Sequence, residues 1–161
     1  MKQVAAILLS LASLQAKGQS DQEGKAILQP ITRLFTGMNL GDSAMVHSAF
    51  ASEVTFVSIS KDKAGNVVVR RSMLGDFLRA VGTPHPEPWS EPIWDTRIEV
   101  DGAFAQVWTK YAFYLGRKFS HCGVDAFQLI KEGNDWKIIH LADTRQRTGC
   151  IVPTVVSEQF K

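Results

Sequence analysis

Between Ile93 and Arg145 the chain is a succession of four β-rich runs joined by very short turns. The runs are Ile93–Val100, Ala103–Leu115, Lys118–Lys131 and Asp135–Arg145, and the turns centre on Asp101-Gly102, Gly116-Arg117 and Gly133-Asn134. Links this short join only antiparallel neighbours, because a parallel return needs a crossover of about a dozen residues or more. Any fold open to this chain must therefore contain a long antiparallel meander at its C-terminal end.

The upstream half reads as helices around one hairpin. Ser20 with Glu23 has the form of a capping box, and Ile27, Ile31, Leu34 and Met38 recur at helical spacing. Pro30, inside that stripe, marks either a kink or a helix start. Asp42 is placed to cap a second helix, Ser43–Phe50. Val54–Ser60 and Val67–Arg71 flank the polar turn KDKAGN, and Ser72 can cap a third helix reaching about Val81. The next stretch, GTPHPEPWSEP, is too rich in proline for regular structure and reads as a crossover loop. Helices first and a meander afterwards make an α+β chain. The tail from Gln146 to Lys161 has no clear period.

Charge and cysteine content narrow the function classes. With 18 Lys+Arg against 16 Asp+Glu the net charge is +2, without the basic field that a nucleic-acid binder presents. Met1-Lys2 followed by the apolar run Val4–Leu14 and a small residue at Ala16 has the form of a secretory signal peptide, too short for a stable membrane span. The expected organisation is a leader over 1–16 and one domain over 17–161, exported to the periplasm or beyond. In such a compartment Cys122 and Cys150 form either one disulfide or two buried free thiols. His47, His85, His121 and His140 show no metal-ligand spacing, so neither a metal nor a cofactor is expected.

The Gly133-Asn134 turn sets a register in which Phe127 faces His140, Asp125 faces Ala142 and Leu129 faces Ile138. Alternation then places His121, Gly123, Asp125, Phe127 and Leu129 on one face with Ile138 and His140. A mostly apolar face with one carboxyl and two imidazoles is the composition of a ligand pocket.

The stretches LFTGMNLGDSAMVHSAFASEVTF and GVDAFQLIKEGNDWKIIHLADTR make the chain resemble the nuclear transport factor 2-like, or SnoaL-like, superfamily. The nearest likeness is to exported bacterial members labelled "putative lumazine-binding". This resemblance implies a cone-shaped fold with three N-terminal helices packed on a strongly curved, mainly antiparallel sheet. It also implies a hydrophobic pocket lined by Leu34, Ser58, Trp94, Asp125, Phe127, Leu129, Ile138 and His140, and a homodimer paired through the sheet. Compared with ketosteroid isomerases of that superfamily, Asp125 takes the place of the oxyanion-binding aspartate. Leu34 and Ser58 stand where the tyrosine and the catalytic base would be, so steroid isomerase activity is not expected. Three readings follow: a binder of a small apolar or planar molecule, an isomerase, dehydratase or cyclase using Asp125 and His121, and a protein-interaction domain.

Overall fold

A computed structural model of the chain describes the backbone from Lys2 and the side chains from Asp21 to Lys161; the expected leader, Met1–Ala16, lies outside the residues described in full. The elements are α1 (Lys2–Leu40), α2 (Ser43–Ser48), β1 (Phe50–Lys61), β2 (Val67–Ser72), α3 (Leu74–Gly82), β3 (Trp89–Ser90), β4 (Ile93–Asp101), β5 (Phe104–Leu115), β6 (Lys118–Glu132), β7 (Asp135–Arg145) and α4 (Thr154–Ser157). They form an α+β structure on one curved seven-stranded sheet, in the order β2-β1-β7-β6-β5-β3, with β4 also on β5. The meander β4 to β7 is antiparallel throughout, and only the β1–β7 pair is parallel. No described helix is long and apolar enough to cross a membrane.

Helix placement departs from the expected three N-terminal helices. Only α1 and α2 precede the sheet, α3 is inserted after the β1–β2 hairpin, and α4 closes the tail. Asp42 caps α2 as expected, its Oδ1 accepting from the Met45 N–H at 2.8 Å. That helix stops at Ser48 because Phe50 is already in β1. Ser72 ends β2, so Met73 takes the cap position of α3 with no side-chain bond. α1 runs on through Pro30 and begins upstream of the Ser20–Glu23 signal. One missing N–H is tolerated there because Pro30 itself is buried and the apolar stripe on either side of it is packed.

That stripe anchors the fold. Ile27, Ile31, Leu34 and Met38 are all at most 5% exposed and pack with Val107, Phe127, Leu129 and Ile138 from the sheet. Each such side chain taken from water contributes about 1.5–3 kcal/mol. Gly37 lets α2 approach α1: a Cβ there would stand 2.7 Å from Val46 Cγ2 and 2.9 Å from the Asp42 carbonyl oxygen.

The tail is fastened to the outer face of the sheet. Cys122 of β6 and Cys150 are bonded, and Val152 and Phe160 pack with Ala112 and Tyr114. The Phe160 ring stacks on Tyr114 with centroids 3.9 Å apart. The bond closes a loop of sequence separation 28. Cys122→Ser with Cys150→Ser is therefore expected to cost about 3–4 kcal/mol, measured by urea denaturation of oxidised wild type against the double variant.

Candidate functional site

Two local irregularities decide which side chains meet inside the sheet. The first is on the β6–β7 ladder. Beside the turn the register is as expected, Leu129 opposite Ile138, but it shifts by one between Leu129 and Gln128. Beyond this bulge Gln128 faces His140, Phe127 faces Leu141 and Asp125 faces Asp143. One extra residue reverses the alternation of everything after it. His140, expected in the pocket, turns away and pairs through Nδ1 with the Thr55 hydroxyl. Leu141, Asp143 and Arg145 take the inward places.

The second irregularity is the edge strand. Trp89 and Ser90 pair with Leu115 and Tyr114, and Ile93 pairs with Tyr111, so β3 and β4 continue one register along β5 across Glu91-Pro92. The stretch expected to be wholly irregular thus ends in a strand whose proline sits on the sheet edge, where no ladder N–H is needed. Trp89, Glu91 and Ile93 alternate onto one face, and Trp89 and Ile93 pack against the main core.

Together these features enclose a cavity of about 90 Å³. Leu34, Phe35, Met38, Phe56 and Phe77 form its apolar walls, and Ser58, Glu91, Tyr111, His121, Asp125, Asp143 and Arg145 its polar part. Of the residues expected in the pocket, Leu34, Ser58, Asp125 and also His121 line it. Phe127, Leu129 and Ile138 are filled core behind it, each fully buried. Trp94 lies elsewhere, against Ala112, Tyr114 and Cys122 in the cluster beneath the tail, and His47 is exposed on α2.

Asp125 is only 2% exposed, and no N–H or hydroxyl donor reaches its Oδ2. What meets this carboxyl is a second one: Glu91, half-buried as a residue with its carboxyl enclosed, is hydrogen bonded to Asp125. Burial first, then the negative charge of Asp143, push Glu91 up to about 8, while Arg145 and the bond from Asp125 oppose. Burial, the charges of Glu91 and Asp143, and the bond to Glu91 hold Asp125 far above the usual carboxylate range. Two carboxyls this close cannot both ionise cheaply, so Asp125 keeps its proton and shares it in a bond to Glu91, while Glu91 gives up its own proton only near pH 8.

The neighbours organise this pair. Asp143 accepts a bidentate pair of bonds from Arg145 and a 2.6 Å bond from the Ser58 hydroxyl. Its charge is thereby matched, and the Glu91–Asp125 pair is left without a cation of its own. The Tyr111 hydroxyl donates to the Thr144 carbonyl at 3.0 Å and lies 3.4 Å from Asp143 Oδ2. Burial, with Asp143 nearby, raises that phenol and keeps it protonated. Burial, aided by the positive charge of Arg145, lowers His121 to about 4, so its imidazole is neutral at neutral pH. The set combines a raised carboxyl, a protonated carboxyl, a phenol and a neutral imidazole around an apolar space, which equips it to move protons.

Sequence reasoning missed Glu91, Asp143 and Arg145. The alternation of Trp89, Glu91 and Ile93 in WSEPI was the available signal for Glu91, masked by the flanking prolines. Leu141, Asp143 and Arg145 alternate as well, and only the bulge decides which way they face.

Solved structures with this architecture share it at low identity, which bears on the fold alone. A protein of unknown function from Mycobacterium tuberculosis matches with TM-score 0.66 and 17% identity over 88% of this chain and 86% of its own. A cystatin-like-fold protein from Novosphingobium aromaticivorans gives 0.64 at 9% identity over 93% and 96%. A protein from the same organism described as a "Putative Scytalone Dehydratase" gives 0.62 at 13% identity over 85% and 93%. No functionally curated protein matches the chain. The family model described as "Putative lumazine-binding" matches residues 22–141, from the packed part of α1 to the middle of β7. The chain has the nuclear transport factor 2-like fold and belongs to the "Putative lumazine-binding" family.

Proposed function

We propose that the cavity binds a small uncharged carbonyl compound and moves a proton on it, as an isomerase or dehydratase does. The observation that carries this reading is the Glu91–Asp125 carboxyl pair, buried against apolar walls with no cation matched to it. Burying two carboxyls works against folding, and such violations concentrate at functional sites. A passive binder of an apolar molecule has no need of them.

The chemistry follows from the pair. A ligand carbonyl oxygen entering the cavity accepts the Asp125 hydroxyl proton in a hydrogen bond and releases Glu91 from its own bond to Asp125. The Glu91 carboxylate takes a proton from the carbon next to the carbonyl, and the C–H electron pair moves into the carbonyl to give an enolate. Asp125 stabilises the new oxyanion, and the protonated Glu91 returns the proton to the same or a conjugated carbon. Because Glu91 is raised to about 8, the rate rises with pH through the neutral range.

The test is deuterium wash-in from heavy water onto the α-carbons of simple ketones, followed by proton NMR. Exchange above buffer is expected, with a loss of about 100-fold or more in Glu91→Gln. Exchange that is absent, or equal in wild type and variant, would leave binding without turnover. The family description then supplies the alternative, a lumazine-type ligand held but not converted.

Two further expectations belong to this reading. Export is supported by the Cys122–Cys150 bond, which suits an oxidising compartment. Pairing through the sheet is supported by the outer face, where Phe104 and Trp108 stand 40% and 49% exposed beside the partly exposed Val124, Ala126 and Ile130. Light scattering is expected to give a dimer for the wild type and a monomer for Trp108→Glu.

A further inference from the structure

The proton-transfer cavity is too small to be the whole ligand site. Its volume of about 90 Å³ is well below the roughly 300–1,000 Å³ of ordinary small-molecule pockets. A carbonyl and its immediate neighbours fit; the remainder of most metabolites does not. Beside it lies a groove of about 410 Å³ between α1 and the β3–β4 edge. Glu91 and Phe35 line both spaces.

We infer that this groove is the second half of the same site and takes the uncharged, apolar body of a ligand whose carbonyl end reaches Glu91. The inference rests on the proton-transfer reading for the polar end only. The groove walls are Leu28, Ile31, Phe35, Ile93 and Phe160. Thr32, on the rim, has its hydroxyl taken up by the Leu28 carbonyl of its own helix, and Asn39 by Ser90 across the groove at 2.8 Å. The latter bond ties α1 to β3 and fixes the groove's width. Glu91 is the one charged group among the lining residues. With no cation there, a phosphate or carboxylate on the ligand finds no partner and meets a carboxyl. The substrate class is therefore neutral ketones or related carbonyl compounds with a hydrocarbon body. Phe160, held against Tyr114 on the disulfide-tethered tail, forms the outer wall and limits the length accepted.

The experiment uses the full chain, the neutral fluorophore N-phenyl-1-naphthylamine, and displacement by linear alkan-2-ones from butanone to octan-2-one. Each added methylene is expected to tighten ketone binding about fourfold until the groove is filled. Thr36→Trp places an indole in the groove from an exposed helical position and is expected to weaken fluorophore binding at least tenfold. Phe160→Ala, opening the outer wall, is expected to weaken it severalfold. An affinity that does not change with ketone length, or a Thr36→Trp protein of unchanged melting temperature that binds like wild type, overturns the inference. Deuterium exchange on acetone, which does not extend beyond the cavity, reports on the proton-transfer reading alone. A graded ketone series without acetone exchange upholds the groove and sinks the catalysis; exchange with a flat series does the reverse.

Discussion

Raising the pH from about 5 to about 8 is expected to lower the stability of the protein by about 4 kcal/mol, or a melting temperature lower by roughly 10 °C. The sign follows from the buried pair. In the unfolded chain Glu91 and Asp125 lose their protons at ordinary carboxylate values near 4. In the folded protein Glu91 keeps its proton up to about 8, and Asp125 is raised as well. Between those values the native state binds more protons than the unfolded state, so stability falls as pH rises and levels off only above the folded value. His121 pulls the other way over part of the range. Lowered to about 4, it stays neutral in the fold while the unfolded imidazole charges below about 6.5, which penalises the native state on acidification. The decline should therefore be shallow between about pH 5 and 6.5 and steeper from there to about 8. Glu91→Gln should flatten the steep part, because glutamine cannot ionise. His121→Phe should steepen the shallow part. A wild-type melting temperature that rises between pH 6.5 and 8, followed by differential scanning fluorimetry, would refute the raised carboxyl pair and with it the proposed chemistry.

Glu91 and Asp143 show where sequence reasoning stopped. The stripe Ile27, Ile31, Leu34, Met38 was legible because a 3.6-residue period survives any tertiary context, and every member is buried. The meander was legible because short turns leave one way to pair. Even the register beside Gly133-Asn134 was right, with Leu129 opposite Ile138. From the next position onward along the same hairpin it was wrong, because a bulge adds one residue whose side chain carries no mark of being extra. Ile139 is as good a strand residue as Ile138, and nothing local says that the count must slip there. The consequence was chemical rather than cosmetic: His140 left the cavity and Asp143 entered it. Glu91 was lost for a different reason. Proline-rich composition argues against regular structure in general, but at a sheet edge a proline costs no ladder bond, so WSEPI could extend the edge and aim its carboxyl inward. A cavity expected to hold a lone carboxyl at Asp125 thus holds three, with Glu91 and Asp143 added. The misplacement of Trp94 has the same origin as that of His140, since β4 shifts register against β5 between Trp94 and Arg97.

Gly123→Ala is expected to be the most damaging single-methyl change in the protein, costing more than about 4 kcal/mol. Gly123 lies on β6 opposite Tyr111, two residues from Asp125. A Cβ there would fall inside the van der Waals envelope of the Thr144 carbonyl, with the Thr144 hydroxyl oxygen at 2.9 Å. That carbonyl is not free to withdraw. It accepts from the Tyr111 hydroxyl at 3.0 Å, and the Thr144 side chain accepts from the Val124 N–H at 3.0 Å. Between the pairs Asp125–Asp143 and Cys122–Gln146 the two strands are pinned on both sides, so relief requires separating them at the floor of the site. The control is the same substitution at Gly75 in α3, where an added Cβ meets nothing within 4 Å. There alanine should stabilise by about 0.4–1 kcal/mol, because it restricts the unfolded chain without straining the fold. Chemical denaturation of the two variants side by side should show shifts of opposite sign. If Gly123→Ala instead matched wild type, the Thr144 carbonyl would not project toward β6, and the anchor that holds Tyr111 beside Asp143 would have to be sought elsewhere.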